Sequence, residues 1–232
     1  MSAYQLLLFA GIVVTLAFWV RIARRDSRLL VIYLAALVGA FFGAKVVYLA
    51  AEGWLYWRSP DQWHIWAAGK TILGALLGGY LSVEIAKRLL CYKAVTGDWF
   101  AVVAPVGIIL GRLGCVSHGC CLGKVCTSQW WTLADRSGVP RWPAIPIEIG
   151  FNVLAVVVFL TLRRFASLPG QHFHVYLIGY GAFRFAHEFA RDTPRVWGAI
   201  SGYHLAALAV LVLGAVGFVR RSLGTSACLS CR

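Results

Sequence analysis

The feature of this sequence that most constrains its fold is a succession of long apolar segments separated by short basic stretches. A helix that crosses a bilayer needs about 20 mostly apolar residues. Seven segments approach that length: residues 4–20, 29–51, 69–86, 99–111 extended toward 114, 146–162, 173–190 and 200–219. Because lipid-exposed backbone must satisfy its own hydrogen bonds, we expect helices. The sequence predicts an all-α, polytopic membrane helical bundle with seven transmembrane helices.

The composition agrees with a membrane domain. Of 232 residues, 60% are hydrophobic and only 13% are charged, which leaves too little polar sequence to coat a soluble domain. The first apolar segment begins at Tyr4 and its basic cluster follows it, the reverse of a secretory signal, so we interpret it as a retained helix. Residues 1–222 are predicted to form a single integral membrane domain, and residues 223–232 a disordered cytoplasmic tail.

The distribution of basic residues predicts the orientation in the membrane. Alternate connections contain twelve and six Lys and Arg residues, and the richer side should be cytoplasmic. The richer set is Arg21, Arg24, Arg25, Arg28, Lys87, Arg88, Lys93, Arg163, Arg164, Arg220, Arg221 and Arg232; the poorer set is Arg58, Lys124, Arg136, Arg141, Arg191 and Arg195. We therefore expect a multi-pass protein of the cell (inner) membrane, with the N-terminus outside and the C-terminus cytoplasmic.

The net charge of +13 is interpreted in the same way. The basic residues fall in short runs between apolar segments, which favours the lipid bilayer and its anionic headgroups as partners. No nucleic-acid partner is expected. On the outer side, the Trp-rich residues 53–68 are typical of an interfacial segment, and residues 115–145 form a long extracytoplasmic loop rich in cysteine. Gly-x3-Gly spacing, as at Gly39 and Gly43, predicts close helix packing.

Ionisable residues within the apolar segments are candidates for function, because charge in a bilayer is costly. Arg112 ends the fourth segment, and Arg184 and Glu188 share a helical face in the sixth. Tyr180 and Arg191 extend that face. A buried ion pair without chemistry is the alternative. Guanidinium groups bind phosphate oxygens bidentately, so the two arginines favour a phospholipid headgroup site.

Three further residues leave alternatives open. Glu148, at the start of the fifth segment, could orient an arginine, act as a base, or face interfacial water. Lys45 and Lys70 could take part in a site or extend to the interface as long cationic side chains do.

The cysteines are concentrated in the outer loop. Cys115, Cys120, Cys121 and Cys126 lie there with His118, and an oxidising compartment favours a disulfide such as Cys115 or Cys120 with Cys126. The adjacent Cys120 and Cys121 are poor partners for each other. Free thiols in small-residue packing, or a metal site, are the alternatives; the spacing matches no strong zinc pattern, and no metal is predicted. A further C-x2-C pair, Cys228 and Cys231, lies in the tail.

Several motifs resemble those of prolipoprotein diacylglyceryl transferases. They are "GAKVVY" (43–48), "GKTILGALLGG" (69–79), "GRLGCVSHG" (111–119), "WPAIPIE" (142–148) and "LIGYGAFRFAHEFARD" (177–192). The order of the motifs and the predicted topology also fit that family. The resemblance implies transfer of the diacylglyceryl group of phosphatidylglycerol to the lipobox cysteine thiol of a prolipoprotein signal peptide, with release of glycerol phosphate and no cofactor.

The resemblance also implies roles for individual residues. Arg112 and Arg184 match the family's essential arginines, and Glu148 matches its conserved-motif glutamate. Phosphate ester departure builds negative charge that preorganised arginines stabilise. The implied substrate-binding residues are Tyr4, Lys45, Tyr48, Tyr180, Glu188 and Gly123.

The sequence also departs from the family pattern. Leu73 stands where the family has a third-helix histidine, Cys115 and His118 replace two asparagines of the signature, and Cys120 replaces a glutamate that often follows. Leucine cannot move a proton, so His118 or a loop cysteine is the candidate catalytic base. The alternative is a paralogue that has another acceptor or no transfer activity and binds lipid or metal through the Cys/His loop.

Overall fold

The computed structural model describes residues 3–24 and 26–229, without the side chains of residues 3–5, 7, 8 and 224–229. Within that part of the chain there are eight α-helices: α1 (Ala3–Ala23), α2 (Arg28–Ala51), α3 (Gln62–Ala68), α4 (Ile72–Leu89), α5 (Gly97–His118), α6 (Ala144–Arg164), α7 (His172–Glu188) and α8 (Gly202–Leu229). A 3₁₀ helix spans Gly53–Tyr56, and two antiparallel strands, β1 (Leu133–Ala134) and β2 (Pro140–Arg141), pair Leu133 with Arg141.

Four of the helices are long and apolar enough to cross a membrane. They are Arg28–Ala51, Gly97–His118, Ala144–Arg164 and the part of α8 from Gly202 to Leu223. Large apolar side chains on α2, such as Phe41, Phe42 and Val46, are exposed, as lipid-facing residues are. The chain is therefore an all-α membrane protein. The other three predicted segments also form helices, α1, α4 and α7, but their crossing of a membrane stays a prediction.

Two predicted boundaries are wrong. The fourth segment was expected to end toward residue 114, but α5 continues to His118, so Cys115 and His118 lie in the helix and not in the loop. Residues 115–118 contain no helix breaker, and Gly119, with φ of 68°, ends the helix. The predicted disordered tail is helical as far as Leu229. Residues 230–232, including Cys231, and the side chain of Cys228 lie outside the described part.

The contacts divide the chain into two compact units. The first contains residues 1–18, 96–172 and 186–193, and α5 packed on α6 is its framework. Asp98, in the first turn of α5, accepts hydrogen bonds from the backbone N–H groups of Gly170 and His172. The guanidinium of Arg163 lies 3.3 Å from the centre of the Trp99 ring. These contacts secure the start of α5 and the end of α6.

The second unit contains residues 19–95, 173–185 and 194–232, and α2 packed on α4 is its framework. Glycines permit the close approach of the two helices: a Cβ atom on Gly43 would lie 2.3 Å from the carbonyl oxygen of Gly74. A Cβ atom on Gly78 would lie 2.2 Å from the carbonyl oxygen of Gly39. The close helix packing predicted from Gly-x3-Gly spacing is therefore confirmed for this pair.

Candidate functional site

Four charged side chains of the first unit form a buried network. The Arg112 Nη2 atom donates to Glu148 Oε1 at 3.0 Å and lies 2.8 Å from Glu148 Oε2 in an ion pair. Arg191 lies between two carboxylates, with its Nη1 3.7 Å from Glu148 Oε2 and its Nε 3.7 Å from Glu188 Oε2. Glu148 and Glu188 are 0% exposed, and Arg112 and Arg191 are 5% and 7% exposed. The two positive charges balance the two negative ones.

Three helices and a short connection supply these groups. Arg112 lies near the end of α5, Glu148 in the first turns of α6, Glu188 at the end of α7, and Arg191 three residues later. Asn152, one turn along α6, donates to the backbone carbonyl of Glu148 at 2.8 Å. Thr193 donates to Glu188 Oε1 at 2.7 Å. The carboxylates are thus held in place and hold the arginines in turn.

The arrangement excludes one of the alternatives for Glu148. A buried charge is tolerated only when it is paired and hydrogen-bonded. Glu148 is enclosed and accepts from Arg112, so it does not face interfacial water; it is placed to orient an arginine, and a role as a base stays a prediction. Arg112 presents a fixed, permanently charged donor fork, the group that best matches phosphate. The site can therefore stabilise an oxyanion.

Arg191 is the residue of this network that the candidate site from the sequence lacked. The sequence placed it on the face of Tyr180, Arg184 and Glu188 and counted it among outer basic residues. Its spacing of three residues from Glu188 was the available signal, since residues i and i+3 are neighbours on a helical turn. Its position between Glu148 and Glu188 depends on the return of the chain to α6, which no local pattern specifies.

Gly123 is positioned by backbone packing in the same unit. It forms a bridge with Arg191, and the next residue, Lys124, donates its N–H to the Ala190 carbonyl at 2.9 Å. A Cβ atom on Gly123 would lie 2.3 Å from the Trp142 carbonyl oxygen. Glycine is therefore required where the loop passes between these two segments, and a substrate contact of Gly123 stays a prediction.

The loop after α5 is tied down by Arg141. Its Nε lies 2.7 Å from Asp135 Oδ2, and its Nη1 lies 2.9 Å from Asp192 Oδ2. The bonds from Arg141, the Ser137 hydroxyl and the Val139 N–H hold the pKa of Asp135 well below its usual range. This salt bridge joins β2, the loop and the connection that carries Arg191.

The cysteines at and after the end of α5 are arranged differently from the expectation. Cys115, Cys120, Cys121 and Cys126 are free thiols, so the predicted disulfide to Cys126 is wrong. The Sγ atoms of Cys115, Cys120 and Cys121 instead lie within 4.8 Å of one another, a grouping that could hold a metal ion where none was predicted. Hydrogen bonds with the Cys115 and Cys120 thiols, and the charges of Arg112 and Arg191, lower the pKa of Cys121.

His118, the candidate catalytic base, and Leu73, which replaces a histidine of the family, lie in different units. His118 belongs to the first unit and is exposed at the end of α5, where its backbone carbonyl accepts from Arg136 Nη2 at 2.7 Å. Leu73 belongs to the second unit and is buried in α4, with 1% of its surface exposed. A catalytic role for His118 stays a prediction.

The remaining predicted residues belong to the second unit, apart from Tyr4. Arg184 and Tyr180 are buried in α7, where the Tyr180 ring stacks on Tyr176 with centroids 5.7 Å apart. Tyr48 is buried and lies so close to Gly69 that a Cβ atom there would clash with its ring. Tyr4 lies on α1, and its side chain is outside the described part.

Lys45 has a structural environment in the second unit. Its ammonium donates to the backbone carbonyls of Trp66, Ala67 and Gly69, the last two at 2.9 and 2.8 Å. An ammonium has three donors, and these three carbonyls engage all of them at the end of α3. Lys45 thereby anchors the Trp-rich segment, and its role in substrate binding stays a prediction.

Together these features define a class: a helical membrane protein with an arginine–glutamate network buried among its helices. The chain belongs to the prolipoprotein diacylglyceryl transferase family, whose model matches residues 1–220. This confirms the resemblance seen in the motifs.

Curated relatives carry the name phosphatidylglycerol–prolipoprotein diacylglyceryl transferase. The protein of Bordetella bronchiseptica is 30% identical over 190 residues, covering 76% of this chain and 69% of the relative. That of Cupriavidus necator is 30% identical over 177 residues, covering 69% and 64%. That of Cupriavidus metallidurans is 28% identical over 207 residues, covering 82% and 76%.

Proposed function

We propose that this chain transfers the diacylglyceryl group of phosphatidylglycerol to the cysteine thiol of a prolipoprotein. Relatives that match over about three quarters of the chain carry the name of that reaction. The observation that supports the chemistry is the buried network in which Glu148 holds Arg112. An arginine fixed in a water-poor site stabilises a departing phosphate far better than a solvated one.

The reaction breaks the bond between the glyceryl carbon of the lipid and its phosphate oxygen. The thiolate sulfur of the acceptor attacks that carbon, a thioether forms, and glycerol phosphate leaves. The lipid phosphate carries one negative charge before the step and gains a second as the bond breaks. Arg112 takes up that developing charge, and Glu148 keeps its guanidinium in position. The acceptor supplies the nucleophile, so the chain needs none of its own.

The thiol proton has three candidate destinations. His118 and a loop cysteine are the bases that the departures from the family pattern leave. The departing phosphate is the third, since a phosphate monoester has a second pKa of about 6 and can bind the proton itself. His118→Ala should lower transfer more than a Leu73 substitution; equal activity would exclude His118 and leave a loop cysteine or the phosphate as acceptor.

Other assignments rest on the resemblance to the family. Arg184 is proposed as a second phosphate-binding arginine. Tyr180 and Glu188 on α7, Tyr48 and Lys45 on α2, Tyr4 on α1 and Gly123 in the loop are proposed to contribute to substrate binding. The acceptor is proposed to be the signal peptide of the prolipoprotein, and nucleic acid is not proposed as a partner.

The proposed topology has seven spans, α1, α2, α4, α5, α6, α7 and α8, in the inner membrane. One set of alternate connections contains twelve Lys and Arg residues and the other six, and the richer set is expected on the cytoplasmic side. The N-terminus is then outside and the C-terminus cytoplasmic. The loop that follows α5 is then extracytoplasmic, on the side where an exported preprotein presents its cysteine.

The activity test uses purified full-length protein, phosphatidylglycerol vesicles and a lipobox peptide. We expect release of glycerol phosphate together with a thioether-linked peptide detected by mass spectrometry. Arg112→Ala and Arg184→Ala should each abolish the reaction, and Arg112→Lys should lose most of it because an ammonium lacks the bidentate fork. Arg58→Ala, at an exposed position, is the control and should retain activity. No turnover by the wild-type protein would overturn the proposal.

A further inference from the structure

Three cysteine side chains of the first unit converge at the end of α5. Cys115 lies on the last full turn of the helix, and Cys120 and Cys121 follow just after it. Their Sγ atoms lie within 4.8 Å of one another. Cys126, in the same loop, is a free thiol outside this group. Three of the four cysteines in this region therefore come together, and the fourth does not.

The end of the helix itself brings two of the thiols together. The backbone N–H of Cys120 donates to the carbonyl of Cys115 at 3.2 Å, and the N–H of Gly119 donates to Val116 at 3.2 Å. This pair of bonds around a left-handed glycine is a Schellman motif. The Arg136 side chain lies against Gly119 and donates to the His118 carbonyl, which holds the turn.

The third thiol arrives through an uncommon backbone conformation. Cys121 has φ of 61°, in the left-handed region that favours glycine and costs about 1 kcal/mol or more for other residues. Glycine would be the residue of lowest strain there. The chain instead places a cysteine, whose side chain turns back toward Cys115 and Cys120.

We propose that Cys115, Cys120 and Cys121 form a binding site for a thiophilic d¹⁰ metal ion. Metal–sulfur bonds of about 2.3 Å require sulfur atoms roughly 4 Å apart, so the observed grouping needs a contraction of less than about 1 Å. Two sulfurs in a disulfide must approach to about 2.05 Å, and the vicinal pair is strained in that form. The grouping matches metal ligation more closely than it matches a disulfide.

The donor set favours Cu(I) over Zn(II). Thiolates select both ions, but three thiolates complete the coordination of Cu(I), whereas Zn(II) is almost always four-coordinate. Binding releases the thiol protons, leaving an anionic centre. Arg112 Nη1 lies 4.0 Å from Cys115 Sγ, and the charge of Arg191 also acts on Cys121. These cations stabilise an electron-rich trithiolate.

The binding test uses the full-length protein, purified under reducing conditions and freed of metal. Cu(I) and Zn(II) are titrated separately against chelators of known affinity, and bound metal is counted by elemental analysis. We expect one Cu(I) per chain, with Zn(II) bound more weakly. Tighter binding of Zn(II) would reassign the ion but keep the site. Failure to bind either ion would overturn the proposal, whatever the transferase assay shows.

Matched variants identify the ligands. Cys121→Gly removes the thiol and fits the left-handed backbone, so loss of binding cannot come from strain. Cys120→Ser removes a second ligand outside the helix. Each should weaken Cu(I) binding by about 100-fold or more, since even outer-shell changes cost 10–100-fold. Cys126→Ser and Cys91→Ser should bind normally. Retained affinity in Cys121→Gly or in Cys120→Ser would contradict the assignment.

Discussion

At the scale of single residues, Glu148 determines the electrostatics of the site. It is fully enclosed, accepts from Arg112 and lies 3.7 Å from Arg191. A carboxylate shared by two guanidinium groups fixes both of them. Removing the Glu148 charge leaves buried positive charge without a partner. That loss destabilises a protein more than replacing both partners of a buried pair with apolar residues.

We expect Glu148→Gln to destabilise the protein by about 3–5 kcal/mol and to abolish transfer, because Arg112 loses its counter-charge. Thermal unfolding in detergent, followed by tryptophan fluorescence, measures the first effect. Glu84→Gln is the matched control: Glu84 pairs with Lys87 at 3.5 Å and is 41% exposed, so its replacement should change little. Equal stability of the two variants would show that the Glu148 carboxylate does not stabilise the fold through its pairing with Arg112.

At the scale of elements, the glycines of α2 and α4 permit one helix to lie directly on the other. A methyl group on Gly43 would lie 2.3 Å from the Gly74 carbonyl, and backbone cannot give way as a flexible side chain can. A methyl group on Gly79 would be in ordinary contact, with its nearest neighbour at 3.5 Å.

Gly43→Ala should therefore destabilise the protein by ~1–3 kcal/mol through overpacking. Gly79→Ala should be neutral or stabilising by up to ~1 kcal/mol, since alanine is the better helix former. Unfolding midpoints of the two variants, measured side by side in the same detergent, make the comparison. A similar loss in both variants would exclude close packing as the cause.

The loop after α5 should respond to acid. The pKa of Asp135 is lowered in the folded state, first by Arg141 and then by Ser137. The stability from this pairing is therefore complete above the ordinary aspartate pKa of about 3.9 and is lost as pH falls toward the lower folded value. Amide hydrogen exchange of residues 123–142, corrected for intrinsic rates, should speed up in that range. Asp135→Asn should remove the pH dependence, and Asp61→Asn should not.

Local patterns predicted the elements better than the site. Apolar length predicted seven of the eight helices, and Gly119 was available as a helix stop that the predicted boundary ignored. Arg112 was found because charge is costly in an apolar segment, and Glu148 was found at the start of such a segment and through the resemblance to the family. Their partner Arg191 and the grouping of Cys115 with Cys120 and Cys121 were not, because both depend on how the chain returns after a helix ends.

At the scale of the whole molecule, the distribution of basic residues makes a prediction about sidedness. Two variants with a single cysteine each test it. Ser128→Cys, in the loop proposed to be outside, should react with a membrane-impermeant maleimide on intact cells. Cys91, which is exposed and follows α4, should react only after the membrane is permeabilised. The reverse labelling pattern would invert the proposed topology.

The balance of charge in the buried network has a consequence for selectivity between the start and the end of the reaction. Two arginines paired with two glutamates exert little long-range pull on a singly charged lipid. In the proposed reaction the phosphate approaches Arg112 while Glu148 still holds the guanidinium, so the attraction comes from short-range hydrogen bonds. Those bonds strengthen as the leaving oxygen takes up charge. We therefore expect the site to favour the departing phosphate over the intact phospholipid, which is the preference that accelerates a reaction.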